Sequence, residues 1–166
     1  MNGYDAVVDI LKKEGFEWIA CFPANPLIEA AGKGGLKPIV FRQERGGIMA
    51  ADGYARMLAK EGKMGVFCSQ GGPGIENSFG GFAQAWAEAV PVLYLPAGSP
   101  ANVAEVKPAF DPQTNFAHIT KWCSSITKSS EISTQMRRAM SALKNGRPGP
   151  VLLEMRSDAM SAEVDN

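Results

Sequence analysis

Histidine is nearly absent. His118 is the only one among 166 residues. A metal site built on paired histidines is therefore excluded. A Ser-His-Asp triad would have to use His118, and no G-x-S-x-G elbow is there to present its serine. Cysteine is scarce too. Cys21, Cys68 and Cys123 are widely spaced, with no C-x-x-C pair, so neither a zinc site nor a disulfide framework is expected and reduced core thiols are the plain reading. An excess of either charge is missing: seventeen basic and seventeen acidic residues cancel. With no basic run either, no nucleic-acid or anionic-membrane partner is expected. No apolar run approaches the ~18 residues of a membrane span. The opening residues lack the basic-then-apolar order of a signal peptide, and a cytoplasmic location is the expectation. The phosphate-binding patterns G-x-x-x-x-G-K-[ST] and G-x-G-x-x-G do not occur.

What is present is a regular alternation. "YDAVVDILKKEG" carries Val7, Val8, Ile10 and Leu11 at helical spacing, with Gly15 as a stop. "WIACF" reads as a first strand, and "PLIEAAGKGG" as a helix opened by proline. "PIVF" reads as a second, buried strand, residues 46–61 as a helix closed by Gly62, and "MGVFCS" as a third strand. After the turn "QGGPG", residues 75–88 form a helix with Phe79, Phe82 and Ala83 on one face, followed by the strand "PVLYLPA". Residues 98–115 are a proline-rich excursion. "SSITK" is a fifth strand, "SEISTQMRRAMSALKNG" a helix capped by Ser130 and ended by Gly146, and "GPVLLEM" a sixth strand. Continuous apolar strands alternating with helices imply a mainly parallel sheet covered on both faces. The expected fold is one three-layer α/β/α domain over residues 1–166, with about six strands.

In such sheets ligands bind beyond the carboxyl ends of the strands. Three segments should line that edge: "CFPANP", "RQERGG" and "SQGGPGIEN". Pro23 and Pro26 have an ordinary use in ending a strand and starting a helix. Gly72, Pro73 and Gly74 form either a tight turn or a small-residue surface that a flat ligand can approach, with the amide of Asn77 nearby. Glu44 has two readings as well. It pairs with Arg42 and Arg45 in a surface ion pair, which contributes little. Or it is an anion at a helix start, favoured by the helix dipole. The small residues that follow, Gly46, Gly47, Ala50 and Ala51, allow close packing against another subunit. A carboxyl group so covered would be desolvated and fit for proton exchange.

The whole chain resembles the pyrimidine-binding (Pyr) domain of thiamine-diphosphate enzymes, in the acetolactate synthase and 2-oxoacid decarboxylase group. "GYDAVVDILKKEGFEWIACFPANP" is similar to that family's opening helix, strand and G-x-P-G-x-P turn. "RQERGGIMAADGYAR" is similar to H-E-x-G-A-x-x-A-A-D-G-Y-A-R, and "GGPGIENSFGGFAQAWAEAVPVLYL" to S-G-P-G-x-x-N with its helix and strand. "ITKW" and "GRPGPVLLEM" complete the series.

The resemblance implies thiamine diphosphate as cofactor. The glutamate matching Glu44 would hydrogen-bond N1′ of the aminopyrimidine, so that its exocyclic nitrogen removes the C2 proton ahead of attack on a 2-oxo acid. Pro23, Ala24, Gln70, Gly72, Pro73, Gly74 and Asn77 would lie against the cofactor. Ala24 replaces a usual glycine, Gln70 and Gly71 a usual Thr-Ser, and Gln43 a histidine. Gln113, in "FDPQTNF", does not map onto the glutamine of the family's F-Q-E loop. The G-D-G motif that holds diphosphate and Mg²⁺ on a separate PP domain is missing. No metal ligand is therefore expected in this chain, and a PP domain or subunit would be its partner in a homo- or hetero-oligomer. The chain is expected to be either a piece of a longer enzyme or a small subunit of a two-chain one, inactive alone. Two other readings stand beside it: a non-catalytic Pyr-like assembly or regulatory module, and a flavodoxin-like nucleotide binder on α/β order alone.

Overall fold

Asn2 starts the first helix. Its side chain accepts from the Asp5 N–H at 3.0 Å, and Asp5 accepts from the Asn2 N–H at 3.3 Å, a reciprocal cap. Helix α1 (Gly3–Lys13) then buries Tyr4, Val7, Val8 and Leu11 on one stripe. The computed structural model describes residues 1–23, 26–104 and 106–164. Among the described residues, β1 (Trp18–Phe22), α2 (Pro26–Gly34), β2 (Lys37–Val40), α3 (Glu44–Met57), β3 (Gly65–Ser69), α4 (Pro73–Ala87) and β4 (Val92–Gly98) follow. Two short helices, α5 (Ala101–Ala104) and α6 (Pro112–Phe116), occupy the long excursion. They lead to β5 (Trp122–Ile126), α7 (Ile132–Lys144), β6 (Val151–Arg156) and α8 (Ser157–Ser161).

The six strands form one sheet in the order β2-β1-β3-β4-β6-β5. Every pairing is parallel. Side chains alternate across the strands, so the sheet feeds two apolar layers. Ile19, Cys21, Val66, Cys68, Leu93 and Leu153 pack against α1, α2 and α7. Ala20, Phe67, Tyr94 and Leu152 pack against α3, α4 and Phe116. This is the expected three-layer α/β/α arrangement. From β1 the chain runs outward to β2 and returns to β3 on the other flank of β1. The carboxyl ends of β1 and β3 therefore bound the switch point, where such sheets take ligands. Among the described residues, no helix is long and apolar enough to cross a membrane.

Three expectations need correction. β2 is not buried. It is the edge strand, paired only with β1, and Ile39 and Val40 are exposed. Four apolar letters in a row do not distinguish an edge from a centre. Second, α3 starts at Glu44 rather than at residue 46, and ends at Met57. A 3₁₀ turn over Ala59–Glu61 follows, closed by the left-handed Gly62. The glycines read as a helix boundary lie inside its first turn. Gly47 is there because a Cβ would sit 2.6 Å from the Phe67 ring. Third, Ser130 does not cap α7. It sits in a 3₁₀ turn, Ser129–Glu131, that leads into the helix, and Glu131 is the capping position.

Candidate functional site

The first turn of α3 and the first turns of α4 meet at the carboxyl edge of the sheet. The two helices pack closely because Gly81 of α4 lies against Ile48 of α3, where any larger residue would clash. That approach brings Glu44 and Asn77 together. Glu44 is 3% exposed, and Asn77 Nδ2 donates to its Oε2 at 3.2 Å. Of the two readings of Glu44, the surface ion pair with arginine is not seen among the described residues. Arg42 and Arg45 are exposed, and among the described residues no cation forms an ion pair with Glu44. Among the described residues the carboxylate accepts one side-chain hydrogen bond, from the Asn77 amide, and it lies in the first turn of α3, where the helix dipole favours an anion.

The turn between β3 and α4 shapes the other side. Gly72 caps α4 with φ 55° and ψ −116°, a conformation that only glycine adopts readily. Pro73 opens the helix, where its missing N–H costs nothing. Gly74 is buried. A Cβ there would lie 2.7 Å from Gln70 Cγ and 3.3 Å from both Glu44 Oε1 and Ser69 Oγ. Any side chain at Gly74 would therefore crowd the Oε1 side of Glu44.

Beneath this turn runs a hydroxyl chain that no sequence pattern announced. Ser69 Oγ lies 2.7 Å from Tyr94 Oη and donates to Gln70 O at 2.9 Å. Tyr94 Oη donates to Ser78 Oγ at 3.1 Å, and Ser78 Oγ donates to Gly74 O at 2.7 Å. Tyr94 is fully buried, and desolvation holds its phenol well above the usual range, as a neutral donor. The chain ties β3 and β4 to the first two turns of α4. Sequence shows Ser69 and Tyr94 only as strand residues. Their alternation onto the face of Phe67 was the available signal.

The structure thus groups Glu44, Gly74 and Asn77, with Gly72, Pro73 and Gln70 in the adjoining turn. Pro23 follows β1 through a cis peptide with Phe22, and Phe22 is in register with Ser69, so Pro23 reaches the same edge. Ala24 lies outside the described residues. Gln113 is not with this group: its Nε2 donates to Ser125 Oγ, on β5, at 3.0 Å. His118 is exposed in a 3₁₀ turn. Cys21 and Cys68 are buried neighbours on β1 and β3, and the hydrogen bond with Cys68 lowers the Cys21 pKa.

Known proteins share this sequence along nearly its whole length. Residues 1–121 match the family described as "Thiamine pyrophosphate enzyme, N-terminal TPP binding domain". The chain is 33% identical to the probable acetolactate synthase large subunit of Methanocaldococcus jannaschii, over 99% of its own length and 28% of the relative's. It is 31% identical to the acetolactate synthase isozyme 2 large subunit of Escherichia coli K12, over 99% of its length and 30% of the relative's. It is 29% identical to the chloroplastic acetolactate synthase of Arabidopsis thaliana, over 95% and 24%. The chain therefore spans less than a third of the length of these relatives. A profile match over residues 1–121, on an all-parallel sheet with this switch point, makes the chain a member of the thiamine pyrophosphate enzyme family, corresponding to its N-terminal TPP-binding domain.

Proposed function

We propose that this chain is the pyrimidine-binding part of a thiamine-diphosphate-dependent lyase or transferase acting on a 2-oxo acid, of the acetolactate synthase kind, and that Glu44 is its proton-exchanging group. One observation carries the reading. Glu44 is buried at the ligand edge of the sheet and, among the described residues, has no cation to balance it and a single side-chain hydrogen bond, from an amide. A buried carboxylate with so few partners is costly on its own. It becomes favourable when a ring nitrogen supplies the missing hydrogen bond.

The residues present fit the cofactor's aminopyrimidine. Asn77 holds Oε2 and leaves Oε1 beside Gly74, which has no side chain to crowd it. The turn of Gly72, Pro73 and Gly74 offers backbone that a flat ring can approach, and Pro23, Ala24 and Gln70 are assigned to its margins. The N-terminus of α3 favours the carboxylate when it has given up its proton. Bound thiamine diphosphate would supply the electron sink for breaking a bond beside a carbonyl. Diphosphate and Mg²⁺ are assigned to a PP domain or subunit carrying G-D-G, which pairs with this chain in an oligomer. The share of the relatives' length that this chain spans supports that division.

The reading predicts that the chain combined with such a partner binds thiamine diphosphate saturably, and that Glu44→Leu weakens binding with the fold retained by circular dichroism. A partner complex that forms but takes up no thiamine diphosphate would contradict it. That result would favour the second reading, a Pyr-like assembly module. A specific feature supports that second reading: Met49, Met57 and Phe79 stand exposed on α3 and α4, as a packing face would.

A further inference from the structure

A polar cavity of about 290 Å³ opens at the carboxyl ends of β4 and β6, on the far side of β4 from β3. It shares no lining residue with the group around Glu44, so binding there is independent of the role given to Glu44. One wall is a buried relay. Gln113 Nε2 donates to Ser125 Oγ at 3.0 Å, and Ser125 Oγ donates to Glu154 Oε2. Burial pushes the Glu154 carboxyl up, against the hydrogen bond from Ser125 and the charge of Arg156. Gly98 is needed here, since a Cβ would sit 2.7 Å from Glu154 Oε1.

The other wall is cationic. Arg156 follows Glu154 by two residues and so projects from the same face of β6. Its Nε is buried and has no hydrogen-bond partner among the described residues. Glu154 Oε2 lies 4.0 Å away, near enough to feel the charge and too far to accept a hydrogen bond. Lys107 lines the same cavity and forms no ion pair among the described residues. The remaining carboxylate, Asp111, is engaged elsewhere: it caps α6, accepting from Gln113 N at 2.9 Å and from Thr114 Oγ1. Two cations thus line a cavity in which, among the described residues, neither carboxylate hydrogen-bonds them. Buried donors in native proteins find partners, and a planar anion matches the guanidinium fork.

We propose that this cavity is a small-molecule site for a small carboxylate, gripped by Arg156 and Lys107 and flanked by the Gln113 amide. Its volume lies near the lower bound of ligand pockets, ~300 Å³, which fits a small organic acid rather than a nucleotide. The test titrates acetate, and separately inorganic phosphate, into the 166-residue chain while amide and side-chain N–H resonances are followed by NMR. Acetate should shift the Gln113 side-chain amide and the Arg156 Nε–H saturably. Arg156→Gln and Lys107→Ala should each weaken that response about tenfold or more, and Glu44→Gln should leave it unchanged. Lys107 is exposed, so its variant keeps the test valid if Arg156→Gln fails to fold. No saturable shift with acetate, or full binding in Lys107→Ala, would overturn the site. Phosphate binding as tightly at the same resonances would overturn the carboxylate assignment.

Discussion

Asn77 Nδ2 reaches Glu44 Oε2 across 3.2 Å, from the second turn of one helix to the first turn of another. The bond is the only one that a side chain among the described residues makes to this buried carboxylate. Removing the donor should leave the acceptor short of a partner. Asn77→Ala is expected to cost about 1–2 kcal/mol. In the Glu44→Leu background, where the carboxylate is gone, most of that loss should vanish. Urea unfolding of the four proteins of this cycle measures it, and a loss in Asn77→Ala that stays equal in both backgrounds would contradict the pairing.

Gly47 and Gly74 lie near the starts of their helices, yet alanine should act differently at each. At Gly47 the new methyl would press on the Phe67 ring, 2.6 Å away in the buried layer. Overpacking of this kind costs about 1–3 kcal/mol, set against the ~1 kcal/mol by which alanine outdoes glycine in a helix. At Gly74 the nearest atom is Gln70 Cγ, on an exposed side chain that can turn away. Stability of Gly74→Ala should change by less than about 1 kcal/mol. Its methyl would still stand 3.3 Å from Glu44 Oε1, and thiamine diphosphate affinity in the completed enzyme should fall about tenfold. Thermal melts and a cofactor titration separate the two effects.

Tyr94→Phe removes one hydroxyl from the chain beneath the β3–α4 turn. Ser69 keeps its bond to Gln70 O and Ser78 its bond to Gly74 O. Neither serine is orphaned, so the expected loss is about 1 kcal/mol. A loss several times larger in urea unfolding would mean that the hydroxyl holds the turn in place and does not merely brace it.

Glu154 gives the protein a pH dependence of definite sign. Burial raises its pKa in the folded state above the unfolded value. The folded protein therefore keeps a proton that the unfolded chain releases from about pH 4.3 upward. Stability from this group is fully present below that pH and declines as pH rises through the folded pKa. Glu154→Gln should flatten that part of the stability-against-pH curve and raise stability at neutral pH relative to wild type. Unfolding free energies between acid and neutral pH test it, and an unchanged slope in the variant would contradict it.

Much of this was legible from spacing alone. The stripe of Val7, Val8 and Leu11 announced α1, and the alternation of apolar strands with helices announced a parallel sheet. Glu44 stood out because a charge followed an apolar run at the edge where ligands bind. Other features were hidden because they depend on tertiary proximity. Asn77 meets Glu44 only because Gly81 lets α4 settle on Ile48. Arg42 and Arg45 neighbour Glu44 in sequence, but the first turn of α3 sends them outward while Glu44 turns in. Glu154 looked like one polar letter in an apolar strand. Its meaning came from its neighbours: strand pairing brings Ser125 beside it, the short helix α6 brings Gln113, and Arg156 follows two residues on in the same strand.

The central claim is that the Glu44 carboxyl exchanges a proton with the cofactor's pyrimidine ring. Hydrogen–deuterium exchange at C2 of thiamine diphosphate, followed by NMR in the chain joined to the PP domain or subunit proposed for it, tests it most directly. The account predicts that Glu44→Gln slows this exchange by about 10²-fold or more while the complex still forms. Exchange at the wild-type rate in that variant, with cofactor bound, would contradict it.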